Sequence, residues 1–180
     1  MSSHNPAPAT AAARSKEERT QPGPQKITTF LWFDNNAEAA VNFYVSVFKN
    51  SRILFSVPYS EAGPGPAGSI MTIEFELDGQ KFTALNGGPH FKFNEAISLV
   101  VHCETQDEVD YFWEKLSEGG QKVECGWVKD KFGVSWQIVP DVLTELLRGG
   151  DKAKLERVMK AVMQMKKLDI ADLQRAAAGN

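Results

Sequence analysis

Cysteine is scarce in this chain of 180 residues: only Cys103 and Cys125 occur. Two cysteines make no disulfide framework, and neither stands in CxxC spacing, so a reducing, cytoplasmic setting is expected. Histidine is nearly as rare, with His4, His90 and His102. No apolar run approaches the about 18–20 residues that span a bilayer, so no membrane partner is expected. Neither sign of charge dominates, since 20 basic residues stand against 23 acidic ones for a net charge of −3. A sequence-independent nucleic-acid binder needs a basic face, so nucleic acid is not an expected partner either. What remains is an ordinary globular composition, 42% hydrophobic and 24% charged, of a length that suits one domain or two small halves sharing a core.

Residues 1–25 hold alanine, proline, serine, threonine and a mixed charge cluster from Arg14 to Arg19. Such a segment buries too little apolar surface to offset its ordering entropy, and a disordered tail is expected. It has no apolar stretch of the secretory type. From Lys26 the pattern changes. Ile27–Phe33 is rich in β-branched and aromatic residues and reads as a strand. Asp34, Asn35 and Asn36 offer a helix N-cap. Ala37, Ala40, Val41, Tyr44 and Phe48 then recur at helical spacing, with a stop expected near Lys49-Asn50. Arg52–Tyr59 reads as a second strand, followed by a Gly/Pro loop from Gly63 to Gly68. Met71, Ile73, Phe75 and Leu77 alternate with Thr72, Glu74 and Glu76, one face apolar and one polar. Asp78-Gly79 is a tight-hairpin signature, and Lys81–Asn86 is the returning strand.

The order then repeats. Ala96–Cys103 reads as a strand, Thr105–Gly119 as a helix, Lys122–Val128 as one or two short strands and Gly133–Val139 as a last strand. "FDNNAEAAVNFYVSVF" and "CETQDEVDYFWEKL" occupy equivalent places in the two halves. Internal duplication at this scale governs the fold. The expected class is therefore α+β: two tandem βαβββ modules, about 26–90 and 94–140, forming curled mixed sheets. A helical C-terminal tail, 141–180, follows, with breaks at Gly149-Gly150 and near Asp169.

Two such halves resemble the vicinal oxygen chelate superfamily, the glyoxalase/bleomycin resistance/dioxygenase fold. "ITTFLWFDNNAEAAVNFYVSVFKNSRI" is similar to the opening of its PhnB-like branch. "GPGPAGSIMTIEFELDGQKFTALNGGP", "ISLVVHCETQDEVDYFWEKLSEGG" and "GWVKDKFGVSWQIVP" extend the resemblance collinearly over about residues 26–168. This branch also carries the label 3-demethylubiquinone-9 3-methyltransferase. No Gly-rich turn follows a strand here to cradle a methyl donor, so the residues lend that label no support.

The resemblance implies a small-molecule cavity inside the curl of the sheets. Metal-using members set one ligand on each of four inward strand positions, and these fall on Ile27, Ala84, Ser98 and Gln137. A single amide oxygen does not hold a divalent cation, which wants three or four donors. A set of His90, His102 and Gln137 is the alternative metal site; Glu74 and Glu76 face solvent, a partner or, if the curl's interior lies on their side, the cavity. Aromatic residues Phe30, Trp32, Phe82, Trp127, Phe132 and Trp136 offer cavity walls or plain core packing. The ligand-binding candidates are Thr29, Asn86, His90, Ser98, His102, Trp136 and Gln137. Adjacent strand residues point to opposite faces, so His102 does not activate Cys103. The expectation is a protein that binds a small organic molecule in a cupped-sheet cavity without a metal or other cofactor, as a homodimer because a single curled half leaves an apolar face open. The alternative is a metal-dependent isomerase, lyase or thiol transferase of the same superfamily, and whether any reaction is catalysed stays open.

Overall fold

A computed structural model describes residues 26–179, so the expected N-terminal tail lies outside the described residues. The first module runs β1 (Thr29–Phe33), α1 (Ala37–Val47), β2 (Arg52–Pro58), β3 (Ile70–Leu77) and β4 (Gln80–Asn86). The second runs β5 (Leu99–Cys103), α2 (Gln106–Ser117), β6 (Gln121–Lys122), β7 (Trp127–Lys129) and β8 (Ser135–Pro140). Each makes a mixed four-stranded sheet that does not close. The strand orders, β1-β4-β3-β2 and β5-β8-β7-β6, are the same permutation. In both, the first strand pairs in parallel with the last, and the remaining pairs are antiparallel.

Local chemistry explains the elements. In β3 the apolar residues Ile73, Phe75 and Leu77 are buried while the polar ones between them are half-buried. Asp78 and Gly79 both take positive φ, 44° and 82°, the geometry of the tight turn that joins β3 to β4. α1 ends at Val47, earlier than the stop expected near Lys49-Asn50, because Phe48 leaves the helix in an extended conformation; Asn50, with φ 51°, lies in the turn to β2. The strands β1 and β5 start later than their apolar runs, at Thr29 and Leu99, where pairing with Phe82 of β4 and Trp136 of β8 begins.

The helices lie on the same side of their sheets, and that side is a single core spanning both modules. Tyr44 of α1 stacks on Phe75 and meets Trp136 of the other module edge-on. Its hydroxyl donates to Asp130 Oδ2 at 2.8 Å, and Trp136 Nε1 donates to the same oxygen at 2.8 Å. Tyr111 of α2 donates to the Val47 carbonyl at 2.9 Å.

Three further helices, α3 (Asp141–Arg148), α4 (Lys152–Val162) and α5 (Ile170–Ala178), form a second small core around Val158, Val162, Leu168 and Leu173. Asp151 and Asp169 cap α4 and α5 with their side chains. The unit is tied to the second module by the N–H groups of Cys125 and Gly126, which donate to the carbonyls of Met165 and Lys166. Gln106 adds a further tie, accepting from the Ile170 N–H at 2.9 Å. No helix among the described residues is long and apolar enough to cross a membrane.

Candidate functional site

Strand alternation gives each sheet a second face, turned away from the helices. Cross-strand partners share a face, so two rows cross the first sheet: Phe30, Thr83, Glu74 and Phe55, and Trp32, Leu85, Thr72 and Val57. Glu76 holds Arg52 at 3.1 Å on the same face. Phe30 is 56% exposed and Phe55 52%, one ring on each of the edge strands β1 and β2. Trp32 is covered by the loop after β4, where its Nε1 donates to the Gly88 carbonyl at 2.8 Å and its ring meets Phe91.

On the second sheet the corresponding row is Val100, Gln137 and Trp127, with His102 beside Val139. Gln137 Nε2 donates to Ser98 Oγ at 2.8 Å. His102 Nδ1 stands 3.3 Å from Asp141 Oδ1 at the exposed end of β5. Its neighbour Cys103 is turned into the core, where burial pushes the thiol up to about 12. It cannot serve as a thiolate nucleophile at neutral pH.

A cavity of about 820 Å³ opens between the modules, lined mainly from the helix side but also by Val100 and His102. Thr29 and Trp136 line it with Phe48, Phe82 and Phe112, and Leu99 to His102 of β5 form one wall.

The candidates read from the sequence therefore separate. Ser98, Gln137 and His102 share the outer face of the second sheet. Thr29 and Trp136 face inward, and Trp136 spends its N–H on Asp130. Asn86 also points to the helix side. Its Oδ1 accepts from the Ala37 N–H at 2.9 Å, and its Nδ2 donates to Glu38 and to the Ile70 carbonyl. Asn86 thus caps α1 from another strand, a task that Asn36 leaves undone. His90 is exposed in the loop that covers Trp32. Among the aromatic candidates, Phe82, Phe132 and Trp136 pack in or against the core, whereas Phe30, Trp32 and Trp127 lie on the outer faces.

The four positions that metal-using relatives of the fold would employ do not fit a cation here. Ile27 is 85% exposed and Ala84 is fully buried on the helix side. Ser98 and Gln137 contribute a hydroxyl and an amide that bond to each other. Among the described residues no group of three or more His, Cys, Asp or Glu side chains converges on one point.

Asp130, which sequence reasoning passed over, is the one carboxylate buried in the core among the described residues. It is 3% exposed, and besides Tyr44 and Trp136 it accepts from the N–H groups of Phe132 and Val134 at 2.8 and 3.0 Å. Burial raises its pKa despite these four donors. The signal available in the sequence was the Asp130–Gly133 turn, with Gly133 at φ 92°.

Residues 25–139 match a family described as 3-demethylubiquinone-9 3-methyltransferase. Among curated proteins nothing matches. Among solved structures, the PhnB protein from Bacillus cereus is 41% identical, covering 64% of this chain and 99% of that one, with a TM-score of 0.60. Protein PA1353 from Pseudomonas aeruginosa is 20% identical over 64% of this chain and 97% of that one, with a TM-score of 0.54. Helices α3–α5 lie beyond the residues matched by the family.

Proposed function

The chain belongs to the family described as 3-demethylubiquinone-9 3-methyltransferase, the PhnB-like branch of the glyoxalase/bleomycin-resistance fold, and on that premise we propose that it binds a small organic molecule against the outer faces of its sheets, as a homodimer and without the superfamily metal. The observation that carries this reading is the pairing of Ser98 with Gln137 on an open, otherwise apolar strand row. A hydroxyl and an amide flanked by Val100 and Trp127 are the makings of an orienting contact beside a stacking surface. A ligand with one donor and one acceptor would exchange the Ser98–Gln137 bond for two of its own. Trp127, half-buried, would then cover its flat side.

The homodimer follows from exposure. Phe30, Phe55, Val57 and Val100 stand open on sheet faces whose other sides are packed. Burying each large apolar side chain contributes about 1.5–3 kcal/mol, so a second copy has a strong reason to cover them. Methyl transfer is not proposed. The strand-to-helix turns, Asp34–Asn36 and Glu104-Thr105, contain no glycine that would let backbone approach a bound nucleotide-type donor.

Native mass spectrometry of the full chain, purified without chelator, together with elemental analysis tests the reading. The expected result is a dimer that retains an organic molecule and carries no stoichiometric divalent metal, with Gln137→Leu releasing the molecule. A transition metal bound at one per chain, or retention unaffected by Gln137→Leu, would count against it and favour the metal-dependent enzyme of the same fold.

A further inference from the structure

The cavity between the modules is lined mainly by inward residues of both sheets and by α1 and α2, and it meets the outer face only at Val100 and His102 of the edge strand β5. We infer that it is a second binding site, reached without Ser98 or Gln137, for a flat organic cation. Its aromatic floor is ordered. Phe48 stacks on Phe112 with ring centroids 5.1 Å apart and on Trp136 at 5.4 Å, with interplanar angles of 26° and 29°. These contacts engage Phe48 on two other rings, and Trp136 is only 3% exposed, so the ring most open to the cavity is that of Tyr111, 42% exposed beside the half-buried Phe48 and Phe112. An aromatic surface attracts cations as well as flat apolar groups. One wall is formed by Leu99 to His102 of β5, the edge strand of its sheet.

The rim has the matching charge. Asp78, Asp107 and Glu108 border it against a single lysine, Lys49. Glu108 is already engaged, its Oε2 accepting from the Glu104 N–H at 2.7 Å. His102, also at the rim, is set against Asp141. Neither Asp78 nor Asp107 takes part in an ion pair among the described residues, so both carboxylates remain available. The aromatic lining and the acidic rim favour the same ligand chemistry. The volume of about 820 Å³ lies within the range of about 300–1,000 Å³ that encloses drug-sized molecules.

The test is a fluorescence titration of the full chain with berberine, a planar aromatic cation, beside anilinonaphthalene sulfonate, an aromatic anion. Berberine should bind saturably at one site per chain. The double substitution Asp78→Asn with Asp107→Asn should weaken it by about threefold or more, as removal of two nearby charges requires, while Gln137→Leu leaves it unchanged. Both aspartates are exposed, and Asn is at home at the left-handed position of the β3–β4 turn, so circular dichroism of the double variant should match the parent. A loss smaller than threefold, equal binding of the anion at the same site, or loss of berberine binding on Gln137→Leu would each overturn the inference. The last outcome would assign the probe to the sheet face and leave the proposed function standing.

Discussion

Asp130 is where the two modules are chemically joined, since Tyr44 comes from the first and Trp136 from the second. An ionised carboxylate in this position depends on all four of its donors, because its desolvation is not otherwise offset. Asp130→Asn keeps the shape but offers only one accepting oxygen and turns an NH2 group toward donors. A loss of about 2–3 kcal/mol in chemical denaturation at neutral pH is expected. The pH dependence has a definite sign. The folded pKa is raised above the ordinary value of 3.8. The stabilisation linked to Asp130 is therefore fully present below about pH 3.8 and is lost as pH rises through the raised value. The stability gap between parent and Asp130→Asn should be widest at the acid end and narrow toward neutrality. A gap that widens with pH would refute this linkage. The cysteines give a second check at this scale. Cys103 is fully buried, with its thiol pushed up to about 12, whereas Cys125 is half-buried on the surface turn beside Met163. A thiol-disulfide exchange reagent at pH 8 should count one rapid thiol in the native chain and both after denaturation, and Cys125→Ser should abolish the rapid one.

At the level of elements, α1 is held at its start by a residue far away in sequence. Asn86→Ala removes the acceptor for the Ala37 N–H together with two donated bonds, and a loss of about 1–2 kcal/mol, read as a lowered denaturation midpoint, is expected. An unchanged midpoint would mean that water replaces the cap without cost. The Gly63–Gly68 loop is similarly anchored. Tyr59 is buried, its hydroxyl donates to the Asn86 carbonyl, and its ring lies where a side chain at Gly65 would go. These two tertiary anchors explain what was and was not legible in the sequence. The alternation of β3, the Asp78-Gly79 turn, the spacing of α1 and the repeated βαβββ order are local patterns and are visible in the residues. The cap on α1 is not, because Asp34, Asn35 and Asn36 sit where a local cap is expected while the acceptor arrives from β4. The site was legible only to the level of parity. Alternation says that Trp136 and Gln137 oppose each other, as do His102 and Cys103. It does not say which of each pair meets a helix, and that is decided by Tyr44 and Asp130 across the module boundary. Asn86 was accordingly grouped with the ligand contacts although its hydrogen bonds are consumed within the fold.

For the whole molecule, two exposed apolar surfaces compete to meet a second copy. One is the sheet face with Phe30 and Phe55. The other is the stripe on α4 formed by Leu155 and Met159 and continued by Met163, which is 63% exposed. A standard stable interface buries about 1,600 Å² in total. The sheet face offers rigid rings held in register by neighbouring strands, whereas the α4 stripe offers flexible methionine side chains whose ordering costs entropy. The sheet face should therefore dominate. Light scattering at micromolar concentration is expected to give the mass of two chains for the parent. Phe55→Asp places a charge on the covered face, at the edge strand β2 and next to Glu74, and should halve that mass. Met163→Asp should leave it unchanged. Both positions are exposed in the single chain, so neither substitution opens the core, and circular dichroism should show the same fold in both variants. If Met163→Asp separates the copies and Phe55→Asp does not, the helices beyond the family-matched residues make the interface, and the sheet faces are left open to ligand from both sides.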